Sequence, residues 1–287
     1  MLRPILLIVF SSLCFALIDG ISKLMVEEVN PLMIAWGRYA MALPAMVVLA
    51  WRYPRRLLAS DRPVVQIFRA LLPLLLSIAI IVSLRYLPLA DMTAILFTMP
   101  LMLILLAALF LRERITAGQL AAVAVGFAGA IIIIRPGAGA LHWAALLPLA
   151  AALGAALLQI LTRWLREGSD PLATFAYTML VGFAAASLPL PWVWQNMSVG
   201  NWALLIVGGI VQLLAHAALI GGFSRAPSVT LAPFLYVQLV GAALFGILVF
   251  DQWPDVLTII GAGVIVASGL YVAAAERRGA VPAAPRS

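Results

Sequence analysis

Residues 90–111 have the sequence ADMTAILFTMPLMLILLAALFL, in which the only ionisable side chain is Asp91. About 20 apolar residues in a helix are enough to cross the roughly 30 Å hydrocarbon core of a bilayer. The whole chain has this character: of its 287 residues 65% are hydrophobic and 10% are charged. Soluble domains are about 25% charged. The composition excludes a soluble globular protein, a disordered chain and a disulfide scaffold, and it predicts an all-α polytopic membrane protein.

Further apolar segments of this length lie on both sides of residues 90–111, and turns that contain proline separate most of them. We predict ten transmembrane helices at about 4–26, 32–51, 66–86, 90–111, 117–134, 142–165, 171–193, 201–223, 228–249 and 256–275. Ten spans leave only short loops, so no soluble catalytic or nucleotide-binding domain is expected. Short alternating strands are absent from the sequence, which excludes a membrane β-barrel.

The basic residues are strongly asymmetric about these spans. Three lie on one side of the membrane (Lys23, Arg85 and Arg135), and Arg38 lies within a span. Fourteen lie on the other side: Arg3, Arg52, Arg55, Arg56, Arg62, Arg69, Arg112, Arg114, Arg163, Arg166, Arg225, Arg277, Arg278 and Arg286. Basic residues in short loops favour the cytoplasmic side. We therefore expect a multi-pass protein of a bacterial-type inner membrane with both termini cytoplasmic, and the net charge of +7 reflects topology and not a nucleic-acid partner.

The two halves of the chain share landmarks at an almost constant offset. Asn30-Pro31 recurs as Asp170-Pro171, Lys23 matches Arg163, and Leu87-Pro88 recurs as Ala226-Pro227. We predict two five-helix repeats, at 1–137 and 138–278, followed by a cytoplasmic tail at 279–287. Five spans per repeat would invert one half relative to the other, an arrangement suited to alternating access with a site near the midplane. Chance similarity of two apolar stretches is the alternative.

The turn at 111–116, LRERIT, is followed by Gln119, Gly126 and Gly129, and Arg38 lies within the second predicted helix. These motifs resemble the drug/metabolite transporter superfamily in its ten-helix EamA form, in which a similar turn ends the fourth helix and the second helix carries an arginine. The resemblance covers nearly the whole chain. It implies a secondary transporter, and the amino-acid exporters of the family, including exporters of aromatic amino acids, are the most similar in length and topology.

The sequence departs from the family pattern at identifiable positions. Ala122 replaces a usual glycine, and Asp251-Gln252-Trp253-Pro254 replaces the acidic-basic turn in the second repeat, although Gly261 keeps its spacing. Thr178 occupies the position that matches Arg38. The two halves are therefore not equivalent, and a polar partner for Arg38 must come from elsewhere in the chain.

The first helix places Ser12, Phe15, Asp19 and Ser22 or Lys23 on one face. A buried charge in a membrane should be paired or line a cavity. Counting from the centre of the first hairpin puts Asp19 and Arg38 at one depth, so we predict an ion pair between them. The alternative is a pair between Asp19 and Lys23, one helical turn apart near the interface.

Further polar side chains lie at matching depths on neighbouring helices. The predicted substrate-binding residues are Phe15, Asp19, Ser77, Thr98, Gln212, His216, Phe234 and Gln238. Carboxamides both donate and accept hydrogen bonds, so they suit an amino acid's ammonium and carboxylate. Each polar group has an alternative role: a backbone bond for a lone Ser or Thr, interhelical bonding for the glutamines, and packing for His216.

Motifs for other functions are missing from the sequence. It has no P-loop, so ATP-driven transport would need a separate subunit, and its single cysteine, Cys14, gives no cysteine-based metal site. We expect no catalytic residues, cofactor or metal. The predicted function is export of small metabolites, aromatic or hydrophobic amino acids first, by alternating access. The alternatives are transport of another metabolite or drug class, a channel and, with less support, a membrane-embedded enzyme.

Overall fold

The computed structural model describes residues 2–112, 115–135, 143–165, 170–226 and 228–279, without the side chains of 163, 228, 229 and 276–279. The predicted turn at 113–114, the boundary between the repeats at 137–138, Pro227 and the predicted tail from 280 onward lie outside the described residues. The helices are α1 (Leu2–Met25), α2 (Pro31–Ala40), α3 (Leu43–Arg52), α4 (Pro63–Leu84), α5 (Leu89–Leu96), α6 (Met99–Leu111), α7 (Ala117–Ile134), α8 (Leu146–Leu165), α9 (Pro171–Ser187), α10 (Leu190–Val193), α11 (Val199–Phe223), α12 (Ser228–Leu235), α13 (Val237–Phe250) and α14 (Val256–Gly279).

Within the described chain, nine segments are long and apolar enough to cross a membrane, and α9 is a shorter apolar helix of 17 residues. The expected all-α fold of two inverted five-helix repeats is therefore confirmed, and α9 together with the short α10 extends over the span predicted at 171–193. Three other spans also consist of two consecutive helices: α2 with α3, α5 with α6, and α12 with α13. The predicted bounds of these spans hold, and the interruptions within them are a feature that hydropathy does not indicate.

The second helix of each repeat begins at the same local structure. The side chains of Asn30 and Asp170 accept hydrogen bonds from the backbone N–H groups of Leu32 and Leu172, at 2.9 and 2.8 Å. A proline follows each cap at the first helical position, where its missing N–H is not needed. The matching Asn-Pro and Asp-Pro pairs are thus helix starts, and they set α2 and α9 in corresponding places.

Glycines allow close packing between particular helices. A Cβ atom on Gly129 of α7 would lie 2.8 Å from the carbonyl oxygen of Gly261 on α14, and the reverse distance is 2.6 Å. A Cβ on Gly20 of α1 would lie 2.4 Å from the ring of Phe245 on α13. Small residues let helix backbones approach in membranes. Both contacts join one repeat to the other, so they hold the two halves together.

The helices alternate in direction, which gives the bundle an N-terminal side, where α1 begins, and an opposite side, where α1 ends. On the opposite side Asn201 donates a hydrogen bond of 2.9 Å to Glu28, and Thr258 donates one of 2.8 Å to Asp91. On the N-terminal side Arg56 contacts Asp170 at 2.7 Å. Polar contacts therefore join the two halves at both ends of the bundle.

Candidate functional site

Arg38 on α2 is the centre of a buried polar cluster. Its Nη2 atom donates a hydrogen bond of 2.6 Å to Ser22 and lies 3.7 Å from an oxygen of Asp19, both on α1. Its Nη1 atom donates a bond of 3.1 Å to Ser77 on α4. The predicted residues Asp19, Arg38 and Ser77 therefore meet at one place, and Ser22, from the predicted polar face of the first helix, completes the contacts.

Lys23 does not occupy the place next to Asp19. Its ammonium donates hydrogen bonds of 2.7 and 2.6 Å to the backbone carbonyls of Leu84 and Leu87, at the end of α4, and lies 5.6 Å from the ring centroid of Phe250. Carbonyls at a helix C-terminus lack partners within the helix and carry partial negative charge. Lys23 therefore caps α4 and leaves Asp19 to Arg38.

The carboxamide of Gln238 approaches the same cluster from the second repeat. Its Nε2 atom lies 3.5 Å from an oxygen of Asp19, at the limit of a hydrogen bond. Gln212 and His216 on α11 border a cavity beside Arg38. The Nδ1 atom of His216 is 2.9 Å from the carbonyl oxygen of Gln212, and its ring packs edge-on against Phe15 with centroids 5.2 Å apart. His216 thus makes the packing contacts of the alternative interpretation.

Two predicted residues stand apart from the cluster. The hydroxyl of Thr98 donates a bond of 2.7 Å to the carbonyl of Ile95, the backbone bond that is the alternative for a lone threonine. Phe234 is half-buried, and its backbone carbonyl lies 3.4 Å from the hydroxyl of Ser12. Among the described residues, neither Thr98 nor Phe234 forms a hydrogen bond with Arg38 or Asp19.

Thr98 instead marks a break that occurs once in each repeat. The fourth span of the first repeat is interrupted between Leu96 and Met99, and that of the second repeat at Tyr236. The rings of Phe97 and Tyr236, which occupy corresponding positions in the two repeats, pack together with centroids 4.9 Å apart. Thr98 and Tyr236 keep right-handed helical dihedral angles, so each interruption is a local bend in the span and not an unwound segment. The bend belongs to both repeats, and the hydropathy pattern does not indicate it.

Two small cavities lie on either side of Arg38. One is bounded by Arg38, Ser22 and Gly209 among others. The other is bounded by Arg38, Gln212, Phe175 and Gly209 among others. Each has room for about one water molecule, whereas ligand pockets for small molecules are typically about 300–1,000 Å³. Neither therefore holds a metabolite in this conformation, and Arg38 and Gly209 border both.

The cluster presents groups that complement both signs of charge. Asp19 is a hydrogen-bond acceptor, Arg38 is a donor with an Nε atom that is buried without a partner, and Gln238 can serve as either. Phe15 and Phe175 supply apolar surface close by. Among the described residues, no group of three His, Cys, Asp or Glu side chains could hold a metal ion. The arrangement suits recognition of a polar head group.

Two ion pairs outside the spans also join the two halves of the bundle. Arg56 donates to Asp170 and lowers the pKa of that carboxyl, and the N–H of Leu172 adds to the effect. Arg135 donates to Asp255 and lowers its pKa to about 2. A lowered carboxyl pKa keeps the group ionised until the pH falls through that value. Both contacts between the halves therefore persist at neutral and mildly acidic pH.

An inverted pair of five-helix repeats with a buried charged cluster between them is an architecture typical of polytopic membrane transporters. The sequence profile of the EamA-like transporter family matches the chain twice, at residues 2–135 and 142–274. The chain belongs to this family, which confirms the resemblance seen in the sequence.

Curated relatives cover most of the chain. It is 26% identical over 261 residues to an S-adenosylmethionine uptake transporter of Rickettsia bellii, covering 91% of this chain and 89% of that protein. It is 30% identical over 247 residues to a riboflavin transporter of Brucella anthropi, covering 83% and 86%. A solved structure with 16% sequence identity matches 94% of this chain and 98% of its own, with a TM-score of 0.62, which supports the fold.

Proposed function

We propose that the protein is a secondary transporter that moves metabolites with an α-amino-acid head group and an aromatic or heteroaromatic part across the bacterial cytoplasmic membrane. The N-terminal side of the bundle faces the cytoplasm in this proposal. S-Adenosylmethionine and aromatic amino acids are the leading substrates. The observation that carries the proposal is the buried group formed by Asp19, Arg38 and Gln238 between the two repeats.

The head group is inferred from charge. An α-amino acid presents an ammonium and a carboxylate on the same carbon atom. Asp19 would take the ammonium, and Arg38 would take the carboxylate through the Nε atom that has no partner. The 3.7 Å separation of Arg38 and Asp19 is longer than a normal charge-assisted hydrogen bond of about 2.7–2.9 Å. The pair is therefore weakly held, and its two members would move apart to bind a zwitterion.

The ring is inferred from the relatives and from the lining of the cavities. S-Adenosylmethionine, which the Rickettsia relative takes up according to its name, contains both an amino-acid head and a purine ring. Riboflavin, named for the Brucella relative, has a fused ring but no amino-acid head. None of the relatives described here is named for amino-acid export, so support for plain aromatic amino acids comes from the head-group argument alone.

In this proposal, alternating access uses the polar contacts between the halves at the two ends of the bundle. The contact of Asn201 with Glu28 would break when the site opens to the outside, and the contact of Arg56 with Asp170 would break when it opens to the cytoplasm. Each contact is polar and close to water, so its loss costs little free energy. The direction of net transport then follows the substrate gradient.

A competition experiment tests the head-group assignment. Purified protein is reconstituted in liposomes, and uptake of labelled S-adenosylmethionine is measured with unlabelled phenylalanine, phenylalanine amide, phenethylamine or riboflavin as competitor. We expect phenylalanine to compete at least tenfold better than its amide or phenethylamine. Equal competition by all three, or competition by riboflavin alone, would contradict the assignment. Recovery of the label as unmodified S-adenosylmethionine separates transport from an enzymatic reaction.

A further inference from the structure

A second buried guanidinium lies in the half of the bundle nearer the N-terminal side. The Nε and Nη1 atoms of Arg69 on α4 donate hydrogen bonds of 2.8 Å each to the hydroxyls of Thr162 on α8 and Thr178 on α9. Both acceptors are neutral. No carboxylate of the described residues forms an ion pair with Arg69, although its side chain is buried. A buried charge without a counter-ion is costly and points to a ligand of opposite charge.

Gln66, one helical turn before Arg69, adds an unused acceptor. The side chain is fully buried, and its Nε2 atom donates a bond of 2.8 Å to Thr174. Its Oε1 atom is buried without a hydrogen-bond partner. Such an atom costs free energy unless something donates to it. Gln66 and Arg69 together therefore offer one free acceptor and one uncompensated cation on neighbouring turns of α4.

The inverted repeat relates this place to the cluster around Arg38. Ser22 accepts a bond from Arg38, and Thr162, at the matching position of the second repeat, accepts one from Arg69. Each hydroxyl also donates to the carbonyl four positions before it. One arginine comes from α2 and the other from α4, but each reaches the same hydroxyl position in the first helix of a repeat.

The counter-ion is where the two places differ. Asp19 lies one turn before Ser22 and beside Arg38. At the same offset between the repeats, Asp19 corresponds to Gln159, which is exposed and whose amide lies 3.1 Å from the sulfur of Met99. The second repeat thus keeps the hydroxyl and the guanidinium but has no carboxylate at the matching position.

The two places lie at different depths of the bundle. Arg69 lies nearly two turns past the start of α4, about 9 Å from the N-terminal side, and Arg38 lies two turns past the start of α2, about 10 Å from the opposite side. Ser77, which accepts from Arg38, lies about 12 Å beyond Arg69 along α4. Gln66 and Arg69 therefore lie between the N-terminal side and the depth of the central cluster.

We infer that Gln66 and Arg69 form a second head-group site, which receives the substrate on the cytoplasmic side of the membrane after it leaves Asp19 and Arg38. This inference rests on the proposed function. Arg69 binds the carboxylate, with the hydroxyls of Thr162 and Thr178 holding the guanidinium in place. Gln66 accepts from the ammonium. Among the residues that the structure describes, no acidic side chain competes for Arg69. The substrate's carboxylate therefore passes from Arg38 to Arg69 as the bundle opens to the cytoplasm.

The test measures half-saturation from each side separately. Right-side-out and inside-out membrane vesicles are used to measure exchange of labelled S-adenosylmethionine by the wild type, Arg69→Gln, Arg69→Lys and the exposed control Arg62→Gln. We expect Arg69→Gln to raise half-saturation at least tenfold from the cytoplasmic side and less than twofold from the outside. Arg69→Lys should recover part of the difference. An equal change of half-saturation from both sides, or a loss of maximal rate only in proportion to the loss of folded protein, would show a structural arginine and overturn the inference.

A binding measurement keeps the inference independent of transport. Benzoate, a plain aromatic carboxylate, should raise the thermal unfolding midpoint of the purified wild type and of Arg62→Gln saturably, and should raise that of Arg69→Gln less. If S-adenosylmethionine is not transported but this difference appears, the proposed function fails and the second site stands. If transport is normal and Arg69→Gln changes neither half-saturation value nor the benzoate response, the second site is excluded.

A parallel series tests whether a lipid occupies the site. Its liposomes contain phosphatidylcholine with or without phosphatidylglycerol. An Arg69→Gln defect that requires phosphatidylglycerol would assign the site to a lipid head group and overturn the inference.

Discussion

Among single residues, Asp19 and Arg38 have the largest share in the proposed site. Hairpin geometry predicts their common depth from the sequence, because both residues lie nine or ten positions from the turn. The hydroxyls of Ser22 and Ser77 could not be predicted as partners, since a serine in an apolar helix usually bonds its own backbone. The position of Lys23 depends on the end of α4, which no local pattern in α1 reveals.

Substitution of the pair should show coupling. We expect Asp19→Asn or Arg38→Gln alone to lower the thermal unfolding midpoint or the transport rate strongly. Each variant leaves one buried charge without its partner, and removing one partner of a buried ion pair destabilises a protein by about 3–5 kcal/mol. The double variant should recover part of the stability. Thermal unfolding in detergent measures all three, with Arg62→Gln as an exposed control. A double variant as damaged as the sum of the single variants would show that the residues are independent.

The two glutamines should separate a binding role from interhelical bonding. Gln238 lies beside Asp19, and Gln212 borders the cavity next to Arg38. We expect Gln238→Ala and Gln212→Ala to change half-saturation severalfold at matched amounts of folded protein, and to change it differently for aromatic and aliphatic substrates. Exposed Gln159 gives the control Gln159→Ala. Loss of transport only in proportion to lost protein, with unchanged substrate profiles, would assign both glutamines to packing.

Among the helices, the sequence indicates the number of spans and most of their ends. Hydropathy and the proline turns are sufficient for that, because each apolar run must cross the bilayer. The breaks at Phe97 and Tyr236 are not predicted, since hydropathy is continuous across them. Pro100 and Pro233 lie close to the two breaks and are the signal that could have found them, because proline cannot donate the backbone hydrogen bond that a continuous helix requires.

Contact between α7 and α14 should depend on Gly129. A side chain there meets the carbonyl of Gly261, so Gly129→Leu should destabilise the protein by about 1–3 kcal/mol through overpacking. Gly263 on α14 offers a matched control, because a Cβ atom there meets nothing within 4 Å. We expect a lower thermal unfolding midpoint for Gly129→Leu and little change for Gly263→Leu. Equal midpoints for the two variants would show that the glycine contact does not hold the halves together.

For the molecule as a whole, charge asymmetry predicts orientation. Cysteines introduced at Arg55 and Asn196, in a Cys14→Ala background, should react with membrane-impermeant thiol reagents from opposite sides. Arg55→Cys should be labelled from the cytoplasm and Asn196→Cys from outside, because basic loops remain cytoplasmic. Labelling of both from one side would contradict the inverted repeats, and the reverse pattern would contradict only the orientation.

The sequence predicts the class of the molecule far better than its substrate. Span number, repeat offset and family motifs are spread along the chain, so no single departure hides them. The substrate depends on a few side chains contributed by α1, α2, α4, α11 and α13, and their mutual distances arise only when the bundle is assembled. The expectation of amino-acid export rests on general similarity, whereas the cluster of Asp19, Arg38 and Gln238 concerns the head group alone.

Counterflow distinguishes an alternating-access carrier with a zwitterion site from a channel or an enzyme. Liposomes that contain the purified protein are preloaded with unlabelled S-adenosylmethionine, diluted into labelled S-adenosylmethionine at low concentration, and compared with empty liposomes and with the Arg38→Gln variant. We predict a transient accumulation of label in the preloaded liposomes, well above that in empty ones, and its loss in Arg38→Gln. The same uptake in preloaded and empty wild-type liposomes would contradict alternating access.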